Sequence, residues 1–129
     1  MKKLEKKIYT FLKERKWDTL RPSDLAKSII IEGAELLELF QWENLSLEEV
    51  KSNEVKIEEI KKELADVLIY AIQMSVLLKL NTEKIINNKL KQVAKKYPAK
   101  LMRQKAERGS GSGEDSEYWK IKKTHRNKM

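Results

Sequence analysis

Apolar residues recur along the chain at helical spacing, and the recurrences break at a few polar or proline-containing points. Over residues 3–16, Leu4, Ile8, Phe11 and Leu12 fall on one narrow stripe with Lys and Glu opposite, which predicts an amphipathic helix. Trp17 follows directly, and Asp18-Thr19-Leu20-Arg21 breaks the pattern. Pro22-Ser23-Asp24 then opens a second helix, with proline suited to its first turn and Ser23 or Asp24 to its cap. That helix is expected over residues 24–42. At about 100° per residue, Leu25, Ala26, Ile29, Ile30, Gly33, Leu36, Leu37 and Phe40 fill one broad arc. Ile31, Leu39 and Trp42 interleave with Glu32, Glu35 and Glu38 on the remainder. A helix apolar nearly all round is expected to be buried on most sides. Gly33, unfavourable in mid-helix, is a candidate for the close approach of a neighbouring helix.

Further along, Ser46-Leu47-Glu48-Glu49 has the spacing of a capping box, so a short helical turn is expected there. The third helix spans about 54–79, charged early (Lys56, Glu58, Glu59, Lys61, Lys62) and apolar later. Glu63, Asp66 and Tyr70 share a sector with Val67, Met74 and Leu77. Asn81-Thr82-Glu83 separates it from a fourth helix, about 82–96, whose apolar face is Ile85, Ile86, Leu90 and Val93. Tyr97-Pro98 ends that helix. Residues 99–108 are weakly helical. Gly109-Ser110-Gly111-Ser112-Gly113 reads as a linker or a loop over a ligand, and 114–123 as a last short helix. The pattern predicts an all-α protein: a helical domain over 1–98 and a C-terminal tail over 99–129.

Composition agrees with long helices: among 129 residues there are four Gly and two Pro. It also restricts the chemistry. There is no cysteine and one histidine, His125, so disulfides, thiolate metal sites and a multi-histidine zinc site within one chain are excluded. A metal would need oxygen ligands, which points to Mg²⁺, Mn²⁺ or Ca²⁺. The sequence has no transmembrane run and no signal-peptide pattern, so a cytoplasmic location is expected. Of the net charge of +8, +7 falls in residues 95–129. A basic tail of this kind suits a polyanionic partner, nucleic acid among them, or serves only as a solvated surface.

The candidate chemistry lies in two pairs of acids. Glu32 with Glu35, and Glu63 with Asp66, stand three residues apart and so share a helix face. If the two helices pack antiparallel, four carboxylates converge, repel one another and raise one another's pKa values. A divalent cation would offset that charge and would suit a nucleoside triphosphate. The alternative is a set of ordinary solvated acids, Glu35 paired with Lys27 or Lys62 and Glu63 with Lys56 or Lys89. Trp17, Trp42 and Tyr70 likewise read as core or as a base-stacking surface.

Taken in order, several motifs resemble the MazG-like all-α nucleoside triphosphate pyrophosphohydrolases, most nearly the dCTP pyrophosphatase-like branch. They are Glu14-Arg15-Lys16-Trp17, Arg21-Pro22-Ser23-Asp24-Leu25-Ala26, Ile31-Glu32-Gly33-Ala34-Glu35-Leu36-Leu37-Glu38-Leu39-Phe40-Gln41-Trp42, Glu63-Leu64-Ala65-Asp66-Val67-Leu68-Ile69-Tyr70 and Lys96-Tyr97-Pro98. The resemblance covers roughly residues 11–98. It implies a four-helix bundle assembled as a homodimer or a dimer of dimers. It also implies Mg²⁺-dependent cleavage of a (d)NTP to a (d)NMP and pyrophosphate, with Mn²⁺ as a substitute ion, in clearing the nucleotide pool of unwanted or modified (d)NTPs. Glu32, Glu35, Glu63 and Asp66 match the family's metal ligands. Glu35, Glu38 and Glu63 are candidates to orient the attacking water. Trp17, Arg21, Trp42 and Tyr70, with Lys89, are candidates to hold the nucleotide. Lys100, Arg103 or Lys105 is suggested to help hold the triphosphate, across a subunit interface. Two departures bear on the base. Relatives often carry a His near Arg21 and an Asn where this chain has Val93, so base preference stays open. The rival reading is a non-catalytic helical module that binds nucleic acid through the tail.

Overall fold

The structure is a computed structural model that describes residues 2–107 and 117–127, the side chains of 105–107, 117–119 and 127 excepted. Its described elements are seven helices, with no strand among them: α1 (Lys2–Glu14), α2 (Pro22–Glu38), α3 (Leu47–Lys51), α4 (Glu54–Leu77), α5 (Thr82–Lys96), α6 (Ala99–Glu107) and α7 (Glu117–Asn127). The all-α expectation holds. The Gly/Ser stretch 109–113 and the side chain of Lys105 lie outside the described residues. No described helix is long and apolar enough to cross a membrane.

The chain divides into two compact units, Met1–Thr82 and Glu83–Met129. In the first, α2 and α4 pack along one another, and α1 and α3 pack on α4. The stripe predicted for α1 supplies its core. Ile8 and Leu12 are buried against Ile72 of α4, with Val76 and Leu77 beside them. In the second unit α6 packs on α7, and Ile85, Ile86, Leu90 and Val93 of α5 are exposed.

Local chemistry explains where the helices stop. The capping box is present. Ser46 Oγ accepts from the Glu49 N–H at 3.2 Å, and Glu49 Oε2 accepts from the Ser46 N–H at 3.3 Å. Asn53 caps α4 by accepting from the Lys56 N–H at 3.0 Å. At the end of α1, Lys16 turns left-handed (φ 59°). The Trp17 N–H then reaches back to Leu12 O at 2.9 Å and the Lys16 N–H to Lys13 O at 3.1 Å. This paired closure is the Schellman arrangement, and it brings Trp17 back beside Phe11, ring centroids 6.1 Å apart and edge-on. Lys79 (φ 56°) closes α4 in the same way, through the Leu80 N–H to Ser75 O at 2.9 Å. Below it Ser75 and Thr82, both buried, share a hydrogen bond of 2.6 Å between their hydroxyls.

Three expectations for the second helix are corrected. It ends at Glu38 rather than near 42, because Leu39–Glu43 winds into successive turns and Lys56 of α4 takes the Leu39 carbonyl. Nor is it buried on most sides: Ile30 is 73%, Ile31 58% and Leu37 68% exposed. The first unit offers α2 one long packing partner, α4, so the rest of its apolar surface has no cover within that unit. At Gly33 an added Cβ would meet nothing within 4 Å, so no described helix of the first unit makes the close approach expected there.

Candidate metal centre and adjoining pocket

Contacts at two ends show how α2 lies against α4. The C-terminus of α2 meets the N-terminus of α4 through Lys56, whose Nζ donates to Leu39 O at 2.6 Å and pairs with Glu43 at 3.2 Å. At the other end Asp24, Leu25 and Ser28 of α2 face Ile69, Tyr70 and Gln73 of α4. The two helices are therefore antiparallel. Their middles bring the two acidic pairs together, and one oxygen from each of Glu32, Glu35, Glu63 and Asp66 lies within 4.8 Å of the others.

The electrostatics of that cluster are strained. Glu32 is pushed up from 4.5 to about 7, first by its hydrogen bond with Glu35, then by desolvation, then by the charges of Glu35, Asp66 and Glu63. The raised value means that Glu32 keeps its proton more readily than an ordinary carboxyl does. Glu63 is also raised, by desolvation first, then by Glu35, Asp66 and Glu38. Glu38 thus belongs to the field of the cluster without joining its inner set.

Oxygen Oε2 of Glu32 and Oε2 of Glu63 are sealed from solvent with no hydrogen-bond partner. Buried carboxylate oxygens without partners are costly. No ion pair relieves them among the described residues: Lys27 pairs with Asp24 and Lys56 with Glu43, not with Glu35 or Glu63. Two orphaned oxygens in an all-oxygen cluster fit a hard divalent cation.

Asp66 has a second role in the geometry. It also lines a cavity of about 420 Å³ built from Phe11, Trp17, Leu20, Asp24, Leu25, Ser28, Ile69, Tyr70 and Gln73. Two of the anticipated aromatics, Trp17 and Tyr70, are here. The remaining nucleotide-binding candidates are not among its lining residues. Trp42 sits in the turns beyond α2 and is 87% exposed. Arg21 precedes α2 as its N-cap residue and makes no side-chain cap bond. Lys89 is exposed on α5, in the second unit, as are Lys100 and Arg103 on α6. Sequence reasoning passed over Phe11, Leu20, Asp24, Ser28, Ile69 and Gln73. Of these, Gln73 carried a usable signal: a single amide in the apolar run from Val67 to Val76.

The MazG-like family matches residues 27–110. Among solved structures, a crystal structure of a pyrophosphatase from Archaeoglobus fulgidus DSM 4304 is similar, at 38% identity and a TM-score of 0.66. The match covers 76% of this chain and 92% of that one. No curated protein matches the chain.

Proposed function

The chain belongs to the MazG-like family, and on that premise we propose that it hydrolyses a nucleoside triphosphate between the α- and β-phosphates, releasing a nucleoside monophosphate and pyrophosphate. The observation that carries this reading is the pair of orphaned oxygens on Glu32 and Glu63, in a four-acid cluster that shares Asp66 with an aromatic cavity. A site that holds a cation beside a flat apolar pocket suits a metal-chelated phosphate chain attached to a base. The pyrophosphatase neighbour agrees with hydrolysis of a phosphoanhydride.

Glu32, Glu35, Glu63 and Asp66 would hold the divalent ion, Mg²⁺ first and Mn²⁺ as its substitute. What that ion supplies when bound is charge neutralisation on the phosphates and a water of lowered pKa. Glu38, Glu35 or Glu63 would take that water's proton as its oxygen bonds to the α-phosphorus and the bridging oxygen leaves with pyrophosphate. Trp17 and Tyr70 would flank the base. Arg21, Trp42, Lys89 and the basic residues Lys100 and Arg103 are the remaining candidates to contact the nucleotide. A second copy of the chain would cover Ile30, Ile31 and Leu37, giving the homodimer or dimer of dimers. A deoxycytidine or related pyrimidine nucleotide, met in the cytoplasm, is the first substrate to try.

The test is to incubate the protein with Mg²⁺ and each dNTP, dUTP or inorganic pyrophosphate, and to follow the products. At least one nucleotide should give its monophosphate and pyrophosphate. Glu35→Gln and Asp66→Asn should each lower the rate by more than about a hundredfold. Absence of pyrophosphate release from every nucleotide would overturn the reading.

A further inference from the structure

Three polar side chains are buried in the first unit: Gln73, Ser75 and Thr82, each 5% exposed. Ser75 and Thr82 satisfy each other at 2.6 Å. Gln73 makes no side-chain hydrogen bond to any described residue, and its amide is not among the polar groups sealed from solvent, so it is free to take a ligand as partner. Gln73 lines the cavity of about 420 Å³, among Phe11, Trp17, Leu25, Ile69 and Tyr70. Nothing in the packing of α1 or α2 calls for an amide there. A leucine would complete the same apolar surface.

We propose that Gln73 is the base-reading residue of this site, its carboxamide pairing with adjacent donor and acceptor atoms on the edge of a planar heterocyclic base. The carboxamide offers one acceptor oxygen and two donor hydrogens, the complement of such an edge. The aromatic walls provide the stacking faces, and Asp66 joins the pocket to the acidic cluster. This rests on the reading of the cluster as a phosphate-side metal centre, and it sharpens it: the substrate is a compound with a base, not inorganic pyrophosphate or a bare sugar phosphate. Gln73 also carries a selectivity of its own. A site built around a buried hydrogen-bonding group rejects ligands that leave the group unpaired far more strongly than an apolar pocket rejects a poor shape.

The experiment compares wild type, Gln73→Leu and Gln73→Glu on the dNTP panel plus an abasic deoxyribose triphosphate. For the best base, Gln73→Leu should lose roughly ten- to a hundredfold in kcat/KM, the cost of one or two buried hydrogen bonds. Its hydrolysis of the abasic analogue should be unchanged, so the spread between bases collapses. Gln73→Glu presents acceptors only and should re-rank the bases toward those with an exocyclic amine. Circular dichroism and the melting temperature establish that both variants fold. A parallel arm measures binding of the phosphate-free nucleosides in EDTA by NMR titration, where the wild type should favour the same base and Gln73→Leu should not. An equal loss on every substrate including the abasic one, or an unchanged order of bases in folded Gln73→Leu, would overturn the inference. If the wild type hydrolyses nothing yet binds nucleosides in a Gln73-dependent order, the base-reading role stands and the proposed reaction falls. Nucleoside binding with no preference among bases would overturn the base-reading role.

Discussion

Lys56 Nζ donates to the backbone oxygen of Leu39 at 2.6 Å, joining the start of α4 to the end of α2. The lysine side chain is 13% exposed, and its second partner is Glu43 at 3.2 Å. The Leu39 carbonyl is among the last of α2, where helix carbonyls lack intrahelical donors and the dipole favours a cation. The contact both terminates α2 and holds its acids opposite those of α4. Lys56→Met should therefore cost about 1.5–3 kcal/mol in urea unfolding, the range for a hydrogen bond to a charged group. It should also weaken Mg²⁺ binding measured by calorimetry. Glu43→Gln, which removes only a half-exposed ion-pair partner, should cost less than about 1 kcal/mol.

The acidic cluster ties metal-free stability to pH with a definite sign. Glu32 is held up at about 7 against an ordinary 4.5, so the folded state retains a proton that the unfolded state has already lost. The stability this contributes is present at pH 4.5 and below and fades as pH rises to about 7. In EDTA the melting temperature should fall across that window, and Glu32→Gln should flatten the fall. Adding Mg²⁺ at pH 8 should restore stability to the wild type and do little for Glu32→Gln.

Cation binding at the same cluster must displace the proton that the raised Glu32 retains. Below pH 7 the apparent Mg²⁺ affinity should drop by up to about tenfold per pH unit. Calorimetry in two buffers of different ionisation enthalpy measures the proton released. Equal affinity at pH 5.5 and 7.5 would contradict this.

On α2, Ile30, Gly33 and Leu37 are spaced three and four residues apart and so share one face. Ile30 is 73% and Leu37 68% exposed, and the space beside Gly33 is open. If a second copy seats here, Ile30→Asp should give a monomer in sedimentation while keeping its helical signal. Gly33→Ala separates the cases by sign. On a solvated helix it raises stability by about 0.5–1 kcal/mol, whereas in a close interface it promotes dissociation, and dissociation is the outcome expected.

Ser75 and Thr82 close α4 onto the start of α5 through one buried hydrogen bond. Removing either hydroxyl orphans the other. Ser75→Ala or Thr82→Val should each destabilise by about 1–3 kcal/mol. The double variant should cost clearly less than the two singles added, which chemical denaturation can measure.

Much of this was legible in the residues. The narrow stripe of α1, the capping box at Ser46, the stop at Tyr97-Pro98 and the i, i+3 acids are local patterns, and local patterns report local structure. They predicted seven helical stretches and placed four carboxylates on two faces. Three-dimensional packing decided what those faces meet. Antiparallel packing of α2 on α4 brought the acids within one ion's reach and left two of their oxygens without partners. Trp42, read as part of a helix, came to lie outside it because Lys56 claimed the carbonyl of Leu39, seventeen residues before it. Gln73, passed over in the sequence, is buried in a cavity wall by that packing. The sequence by itself determined which residues form helices and which carry charge, because propensity and periodicity act between near neighbours. Only the tertiary structure decided which polar groups were cut off from water, because that depends on residues far apart in the chain meeting.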